Sequence, residues 1–174
     1  MEYDADYFAS EEYRKINPMG KLPALHDDDQ LIIESTVIME YLLNRYGPST
    51  LNRDNHHPEY AKFLQWLHMA ESGISGYLAV ILGNRTVGKH YTVSKDYDEY
   101  CVYQVEKAFK LLEHDLQEND YLISDGFSAA DISVGYSLYL ANKLTRLPLS
   151  KKIEHYFLRL QQRPAWQKIM AIKP

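Results

Sequence analysis

The chain has 174 residues, of which 45% are hydrophobic and 25% charged, the ordinary balance of a soluble globular protein. A net charge of −5 without a basic stripe argues against a nucleic-acid partner, and a single cysteine excludes an internal disulfide and a cysteine-rich metal site. No apolar run is long enough to span a membrane, and the N-terminus carries acids where a targeting peptide would carry bases, so a cytoplasmic protein is expected.

The sequence of residues 1–47 predicts a mixture of short helices and strands. The segment Ser10–Ile16 is expected to form a helix that ends before a proline, since the residue preceding proline avoids helical angles. Leu22–His26 and Leu31–Ile33 predict two antiparallel strands. The aspartate-rich turn between them suits a tight connection, because aspartate tolerates left-handed backbone.

A longer helix is expected from Ser35 to about Tyr46, ended by a glycine and a proline in the usual order. Its predicted apolar face contains Val37, Ile38, Tyr41 and Leu42. Residues 48–57 are polar and without periodicity, and they predict a linker.

Residues 58–174 predict an all-helical domain. Pro58 suits the first turn of a long helix. Gly73 and Gly76 interrupt this helix and indicate a kink, room for a ligand or, as we expect, a close contact with another helix. The predicted buried stripe of the helix consists of Phe63, Leu64, Leu67, Ala70, Ile74, Leu78 and Ile81.

Four more helices are expected, the first from Ser94 to Leu116. Ser128 and Asp131 form a capping-box pattern that opens a helix apolar nearly all round, which is typical of the centre of a bundle. Short helices near 150–162 and 164–171 close the chain. The predicted buried stripe of the helix from Ser94 to Leu116 consists of Tyr97, Cys101, Val105, Ala108, Phe109, Leu112 and Leu116. The position of Cys101 in this apolar stripe predicts an inert, packed thiol.

Three segments together resemble the glutathione transferases: NPMGKLPAL (17–25), LIIESTVIMEYL (31–42) and FSAADISVGY (127–136), followed by RPAW at 163–166. Each motif is weak alone, but their order and spacing are specific. The resemblance implies a mostly α, α+β fold: an incomplete thioredoxin-like domain that binds glutathione, then an all-α bundle. It also implies a cytoplasmic homodimer that detoxifies hydrophobic electrophiles by conjugating them to glutathione, with no metal.

The resemblance assigns five residues to the glutathione site. Pro23 matches the family's cis-proline, which leaves the Leu22 backbone free to pair with the cysteinyl unit of glutathione. Ser35, at a helix start, would bind the γ-glutamyl carboxylate, Glu34 the α-ammonium group, and Lys21 the glutathione backbone or glycyl carboxylate. The residues alone favour a trans proline, a plain serine cap and a glutamate that is favourable near a helix start, and they permit a solvated lysine nearly as well as a binding one.

The thiol-activating side chain of the family lies several tens of residues before the cis-proline, whereas 22 residues precede Pro23 here. Tyr3 and Tyr7 are too close to take this role and are expected at the end of the second strand and in the loop after it. The catalytic residue is therefore unknown, and the family's first strand and helix are expected to be missing.

Three explanations of this gap stay open: a start at an internal methionine, a fragment, or a short form that keeps a binding or assembly role. A non-catalytic family member that binds partners or hydrophobic ligands is the alternative to the enzyme. A helical interaction module with no affinity for glutathione is the third hypothesis.

Overall fold

The structure is a computed structural model that describes residues 5–86, 94–117 and 119–172. The chain divides into two compact units, Met1–Asn52 with Pro164–Pro174, and Arg53–Arg163. Among the described residues, no helix is both long and apolar enough to cross a membrane. In chain order the elements are α1 (Ala5–Ala9), α2 (Glu11–Ile16), β1 (Ala24–Asp27), β2 (Gln30–Ile33), α3 (Ser35–Arg45), α4 (Tyr60–Met69), α5 (Gly76–Thr86), α6 (Lys95–Leu116), α7 (Ala129–Tyr139), α8 (Lys151–Gln161) and α9 (Pro164–Met170).

In the first unit, α2 confirms the predicted short helix. The Ser10 hydroxyl caps it by accepting a hydrogen bond from the Tyr13 amide at 3.2 Å. The buried Tyr13 ring packs edge-on against Phe8, with 4.8 Å between ring centroids. Its hydroxyl and the Asn17 side chain both donate to the Lys21 carbonyl, at 2.9 and 2.6 Å. These bonds fix the loop that leads from α2 towards β1.

β1 and β2 form the predicted antiparallel hairpin, with Cα partners running from Ala24 opposite Ile33 to Asp27 opposite Gln30. The turn contains Asp28 at φ 50°, a left-handed conformation that aspartate tolerates. β1 begins later than predicted because the proline before it has no amide hydrogen to donate to the ladder.

α3 follows β2 through one residue and has nearly the predicted extent, but its predicted apolar face is only partly right, since Ile38 and Tyr41 are half-buried. Leu43 is its buried residue, whereas Val37 and Leu42 are 48% and 39% exposed. Thr36 and Met39, two turns and one turn before Leu43, are half-buried. Apolar residues lie nearly all round α3, so periodicity alone does not select the buried face.

The second unit is helical, and α4 starts two residues after the predicted Pro58. The His57 ring accepts the Glu59 amide at 3.1 Å and holds this segment in a turn. Trp66, which was not predicted, is fully buried and donates its indole N–H to the Asp115 carboxylate at 2.8 Å. Leu64 is half-buried, while the other predicted stripe residues, Phe63, Leu67, Ala70, Ile74, Leu78 and Ile81, are all buried.

A π-helical segment, Ala70–Ser75, joins α4 to α5 where the two glycines occur. The predicted close contact with another helix is wrong. A Cβ at Gly73 would meet the Met69 side chain of the preceding turn at 2.8 Å, and one at Gly76 would meet the Glu71 carbonyl oxygen at 3.6 Å. The glycines therefore accompany a change in helix winding.

Serines of α7 bind backbone groups of this region. The Ser133 hydroxyl donates to the Leu67 carbonyl at 2.8 Å, and the Ser137 hydroxyl donates to the Ala70 carbonyl at 2.9 Å. The Ser75 and Ser137 hydroxyls lie 2.9 Å apart and are hydrogen-bonded. Carbonyls at the changed winding are therefore satisfied by side chains in the core.

The predicted linker contains residues that are anchored within the second unit. Arg53 is 6% exposed and pairs with Asp125 at 2.6 Å, and His57 lies 3.2 Å from the other oxygen of the same carboxylate. Glu59 accepts from the Ser124 amide at 2.9 Å and also from its hydroxyl. The segment before α4 is thus held by the tight turn that contains Ser124 and Asp125.

α6 to α9 follow the prediction closely. Ser94 and Ser150 cap α6 and α8, each accepting from the amide three residues on. In α6 the predicted stripe is buried except for Tyr97, which is 49% exposed. α7 lies among α4, the π segment and α8, which confirms its central place. A second π-helical segment, Leu140–Leu144, follows it.

Candidate functional site

Four of the five predicted site residues flank one end of the hairpin. β1 and β2 pair up to Ala24 opposite Ile33. Leu22 and Pro23 come immediately before that pair, and Glu34 and Ser35 immediately after it. The continuous hairpin therefore brings both segments to its open end, away from the turn.

Leu22 presents an unpaired backbone at this end. The Leu22–Pro23 peptide is cis, and Leu22 is 60% exposed. Within the described ranges, neither its amide nor its carbonyl takes part in a backbone hydrogen bond. The neighbouring Lys21 has an exposed side chain, while its carbonyl is held by Tyr13 and Asn17. A fixed loop thus offers an extended peptide one donor and one acceptor.

The tip of α3 is open. Glu34 is its N-cap, and its carbonyl accepts the Ile38 amide at 2.9 Å, but no side chain caps the helix. Ser35 is the first helical residue, so it is not the plain N-cap that its residue type suggests. The amides of the first turn, which carry the positive end of the helix dipole, therefore have no side-chain acceptor among the described residues.

The backbone of Glu34 is strained. Its φ of 74° and ψ of 121° lie outside the region that side-chain-bearing residues favour. Such a conformation costs about 1–3 kcal/mol and persists where the surrounding structure enforces it, often at binding sites. The Glu34 side chain is exposed, so burial does not account for the conformation.

The charges match an amino-acid head group. The α3 tip and the Ser35 hydroxyl suit a carboxylate, and the adjacent Glu34 carboxylate suits an ammonium group. The unpaired Leu22 backbone suits a peptide unit that follows. Together these groups can bind a short peptide through a free α-carboxylate and α-ammonium on the same carbon.

At the other end of the hairpin, sequence reasoning missed a cluster around Asp27. Tyr41 and Tyr46 donate their hydroxyls to its two carboxylate oxygens, at 2.6 and 2.5 Å. The bond from Tyr41 and then that from Tyr46 lower the pKa of Asp27, and the same bonds raise the pKa of both tyrosines. Tyr41 lies in α3 and Tyr46 is its C-cap, five residues on, a spacing that marks no helical face.

The predicted capping box lies in the second unit, apart from these groups in sequence. Asp131 is fully buried and accepts from the Ser128 amide at 2.8 Å and hydroxyl at 2.9 Å. Its other oxygen accepts from the Leu122 amide at 3.0 Å and the Tyr156 hydroxyl at 2.8 Å. Burial raises the pKa of Asp131, while these four bonds lower it. The arrangement anchors the start of α7.

The cysteine and the N-terminal tyrosines that could activate or replace a thiol are packed in the fold or lie outside the described residues. Cys101 is fully buried, and burial raises the pKa of its thiol. Tyr7 lies in α1, and not in a strand or the loop after it, with its ring 5.6 Å from Phe8 and 5.5 Å from Tyr13. Tyr3 lies outside the described residues. Across the described ranges, no three or more His, Cys, Asp or Glu side chains are grouped for a metal ion.

Comparison with known proteins identifies the family. Residues 2–50 match the description "Glutathione S-transferase, N-terminal domain", and residues 38–164 match "Glutathione S-transferase, C-terminal domain". Glutathione S-transferase 3 of Schizosaccharomyces pombe is 26% identical over 94% of this chain and 72% of its own length. A probable elongation factor 1-gamma of Arabidopsis thaliana is 25% identical over 92% of this chain and 39% of its own length.

Solved structures with a similar fold come from the same family. Glutathione transferase URE2P6 of Phanerochaete chrysosporium, solved in complex with oxidized glutathione, superimposes with a TM-score of 0.81 at 24% identity. The match covers 98% of this chain and 81% of that one. The predicted fold class, a thioredoxin-like domain followed by a helical bundle, is confirmed. The C-terminal match alone spans most of the sequence, and the chain therefore belongs to the glutathione S-transferase family.

Proposed function

We propose that this protein binds glutathione at the open end of the hairpin and conjugates it to electrophilic small molecules. One observation carries the proposal: an uncapped helix tip with a carboxylate before it, at the same hairpin end as an unpaired Leu22 backbone. Family membership supplies the identity of the peptide, because the geometry alone fits other short peptides with a free amino-acid head group.

Each unit of glutathione has a partner in this arrangement. The γ-glutamyl carboxylate meets the α3 tip and the Ser35 hydroxyl, and the α-ammonium group meets Glu34. The cysteinyl unit pairs with the Leu22 amide and carbonyl, as an added strand would, and Pro23 gives the loop its turn. Lys21 contacts the glutathione backbone or the glycyl carboxylate. Glutathione carries two carboxylates and one ammonium group, so this set complements its charge.

In the reaction, the glutathione sulfur forms a bond to an electrophilic carbon, the leaving group departs with its electron pair, and the thiol proton passes to solvent. A hydrogen bond to the sulfur favours the thiolate; the side chain that provides it is not assigned. We also propose the remaining family expectations: a cytoplasmic homodimer that detoxifies hydrophobic electrophiles, with a glutathione-binding domain at 1–47, a linker at 48–57 and a helical domain at 58–174.

Isothermal titration calorimetry with glutathione tests the binding step. Ser35→Ala and Glu34→Gln should each weaken binding by about tenfold to a hundredfold, since each removes a hydrogen bond to a charged group. Ser94→Ala is the matched control, because it removes a serine hydroxyl from the start of α6 and should leave the affinity unchanged. Absence of binding by the unaltered chain, or equal affinity in all variants, would refute the proposal.

The conjugation step needs its own assay. Formation of a thioether from glutathione and a chloronitrobenzene, followed by absorbance, should exceed the uncatalysed rate. Chloride leaves as the sulfur–carbon bond forms. If the protein binds glutathione but does not raise this rate, the proposed binding site stands and the proposed reaction is refuted.

A non-catalytic binding or assembly role is the second candidate, and a specific observation favours it. The relatives include proteins named elongation factor 1-gamma, which align over 91–92% of this chain and are not named as transferases. This candidate predicts glutathione affinity without conjugation, or a partner protein that binds the unaltered chain.

A further inference from the structure

We propose that Asp27 is a positioning residue that holds the α3 tip in its glutathione-binding orientation; this inference rests on the function proposed above. The unit that does so is the tyrosine clasp, defined as Asp27 with Tyr41 and Tyr46. Both carboxylate oxygens of Asp27 are engaged, one by each hydroxyl, at 2.6 and 2.5 Å. The clasp therefore ties the last residue of β1 to the second half of α3 and to its C-cap.

The clasp and the candidate site lie at opposite ends of one β-β-α unit. Asp27 is paired with Gln30 next to the hairpin turn, while the site residues lie beyond Ala24 and Ile33 at the open end. A four-residue strand spans about 13 Å, and an eleven-residue helix spans about 16 Å. α3 therefore returns along the hairpin, and its second half reaches the end where Asp27 lies.

Glu34 is the single residue between β2 and α3, so the direction of the helix depends on its backbone angles. Those angles are strained, with φ at 74°. A strained residue keeps its conformation where other contacts enforce it. The clasp holds the opposite end of α3, and thereby restrains the rotation about Glu34 that would release the strain and turn the tip away.

Packing gives α3 little additional restraint within its own unit. Leu43 is its one buried residue among those described, Ile38 and Met39 are half-buried, and Val37 is 48% exposed. Because most of its apolar residues keep contact with solvent, core contacts alone restrain the helix only in part. Two hydrogen bonds to one ionised carboxylate, which are stronger than neutral ones, are therefore a substantial part of what fixes it.

The experiment compares Asp27→Asn with Asp29→Asn. The control removes the same charge from an exposed carboxylate two residues on, for which no hydrogen bond is observed among the described residues. Calorimetry should show that Asp27→Asn weakens glutathione binding roughly threefold to tenfold, and that the control changes it by less. Tyr41→Phe and Tyr46→Phe remove one bond each and should have smaller effects in the same direction, which covers a failure of the asparagine variant to fold.

Two further readouts separate positioning from a general loss of stability. In the Ser35→Ala background, Asp27→Asn should cost less affinity than in the unaltered chain, because the part of its effect that passes through the Ser35 hydroxyl is already lost. In the ligand-free protein, Asp27→Asn should shift the NMR signals of the Ser35 and Thr36 amides, and Asp29→Asn should not. Unmoved amides, or equal glutathione affinity in wild type and Asp27→Asn, overturn the inference.

The two proposals fail in distinguishable ways. If the unaltered chain binds no glutathione, the proposed function fails, while the amide shifts still decide whether Asp27 orients the tip. If the unaltered chain binds and Asp27→Asn binds equally well, the positioning role fails and the proposed function stands.

Discussion

Replacing Asp131 with asparagine removes the acceptor at the start of α7. The carboxylate is fully buried, and each of its oxygens accepts one backbone amide and one hydroxyl. Asparagine has one oxygen for these four donors and turns an NH2 group towards the other pair. The hydroxyl in the pair that faces the NH2 group, from Ser128 or Tyr156, can rotate and accept a hydrogen bond from it. The backbone amide in the same pair, from Ser128 or Leu122, can only donate.

Either orientation of the asparagine therefore strands one buried backbone amide. An unsatisfied buried donor costs about 1–3 kcal/mol, and the remaining bonds also lose the strength that the ionised acceptor gives them. Burial, which raises the pKa of Asp131, opposes part of this loss, because asparagine carries no charge to desolvate. We expect a net decrease of about 2–4 kcal/mol in the free energy of unfolding, against about 5–15 kcal/mol for a typical domain.

Urea unfolding followed by tryptophan fluorescence measures this loss. Trp66 is buried in the helical unit, and a Trp166→Phe background leaves it as the single tryptophan. Ser128→Ala is the matched control: it removes one hydroxyl at the same helix start, keeps both amides on the carboxylate, and should cost about 0.5–2 kcal/mol. A loss in Asp131→Asn no larger than in Ser128→Ala would refute the reasoning.

Three other predictions follow from buried or paired polar groups. Ser137→Ala should lower the unfolding free energy by about 1–3 kcal/mol, because the Ala70 carbonyl and the Ser75 hydroxyl lose their partner, whereas the exposed Ser72→Ala should cost less than about 0.5 kcal/mol in the same urea titration. Arg53→Ala should cost about 1–2 kcal/mol, reduced from the value for a fully buried pair because Asp125 is 50% exposed; Lys95→Ala, from a pair 87% and 65% exposed, should be near zero. The pKa of Asp27 is lowered in the folded chain. The stabilisation that Asp27 contributes is therefore complete above the unfolded pKa of about 3.9 and is lost as pH falls through the folded pKa. The NMR signals of the α3 amides should move in that acidic range and stay constant near neutrality. Equal costs for each matched pair, or α3 signals that titrate near pH 7, would contradict these expectations.

Local chemistry made most helix boundaries predictable. Ser10, Ser94 and Ser150 each cap the helix that the sequence assigned to them, because a cap needs only a hydroxyl and an amide three residues on. The hairpin followed from two short strands around an aspartate-rich turn. These signals lie within a few residues of the feature they specify.

The features that were missed depend on residues distant in sequence. Asp27 meets its tyrosines 14 and 19 positions on, and Arg53 meets Asp125 72 positions on. The π-helical winding after α4 is matched by α7 serines 66 and 67 positions away, which no local pattern reveals. Without them, two glycines in a helix do not distinguish a change in winding from a close helix contact.

A contrast among helix starts gives the strongest physical argument for the candidate site. Among the described residues four serines stand at N-cap positions, and the side chains of Ser10, Ser94 and Ser150 each accept an amide of the first turn. Ser35 stands one position later, behind a strained glutamate, and no side chain in the described part of the protein caps α3. A helix start that is strained and uncapped is less stable by itself than one that is capped, so folding alone does not account for it. A ligand that supplies the missing acceptor for the amides and a cation for Glu34 accounts for both features at once.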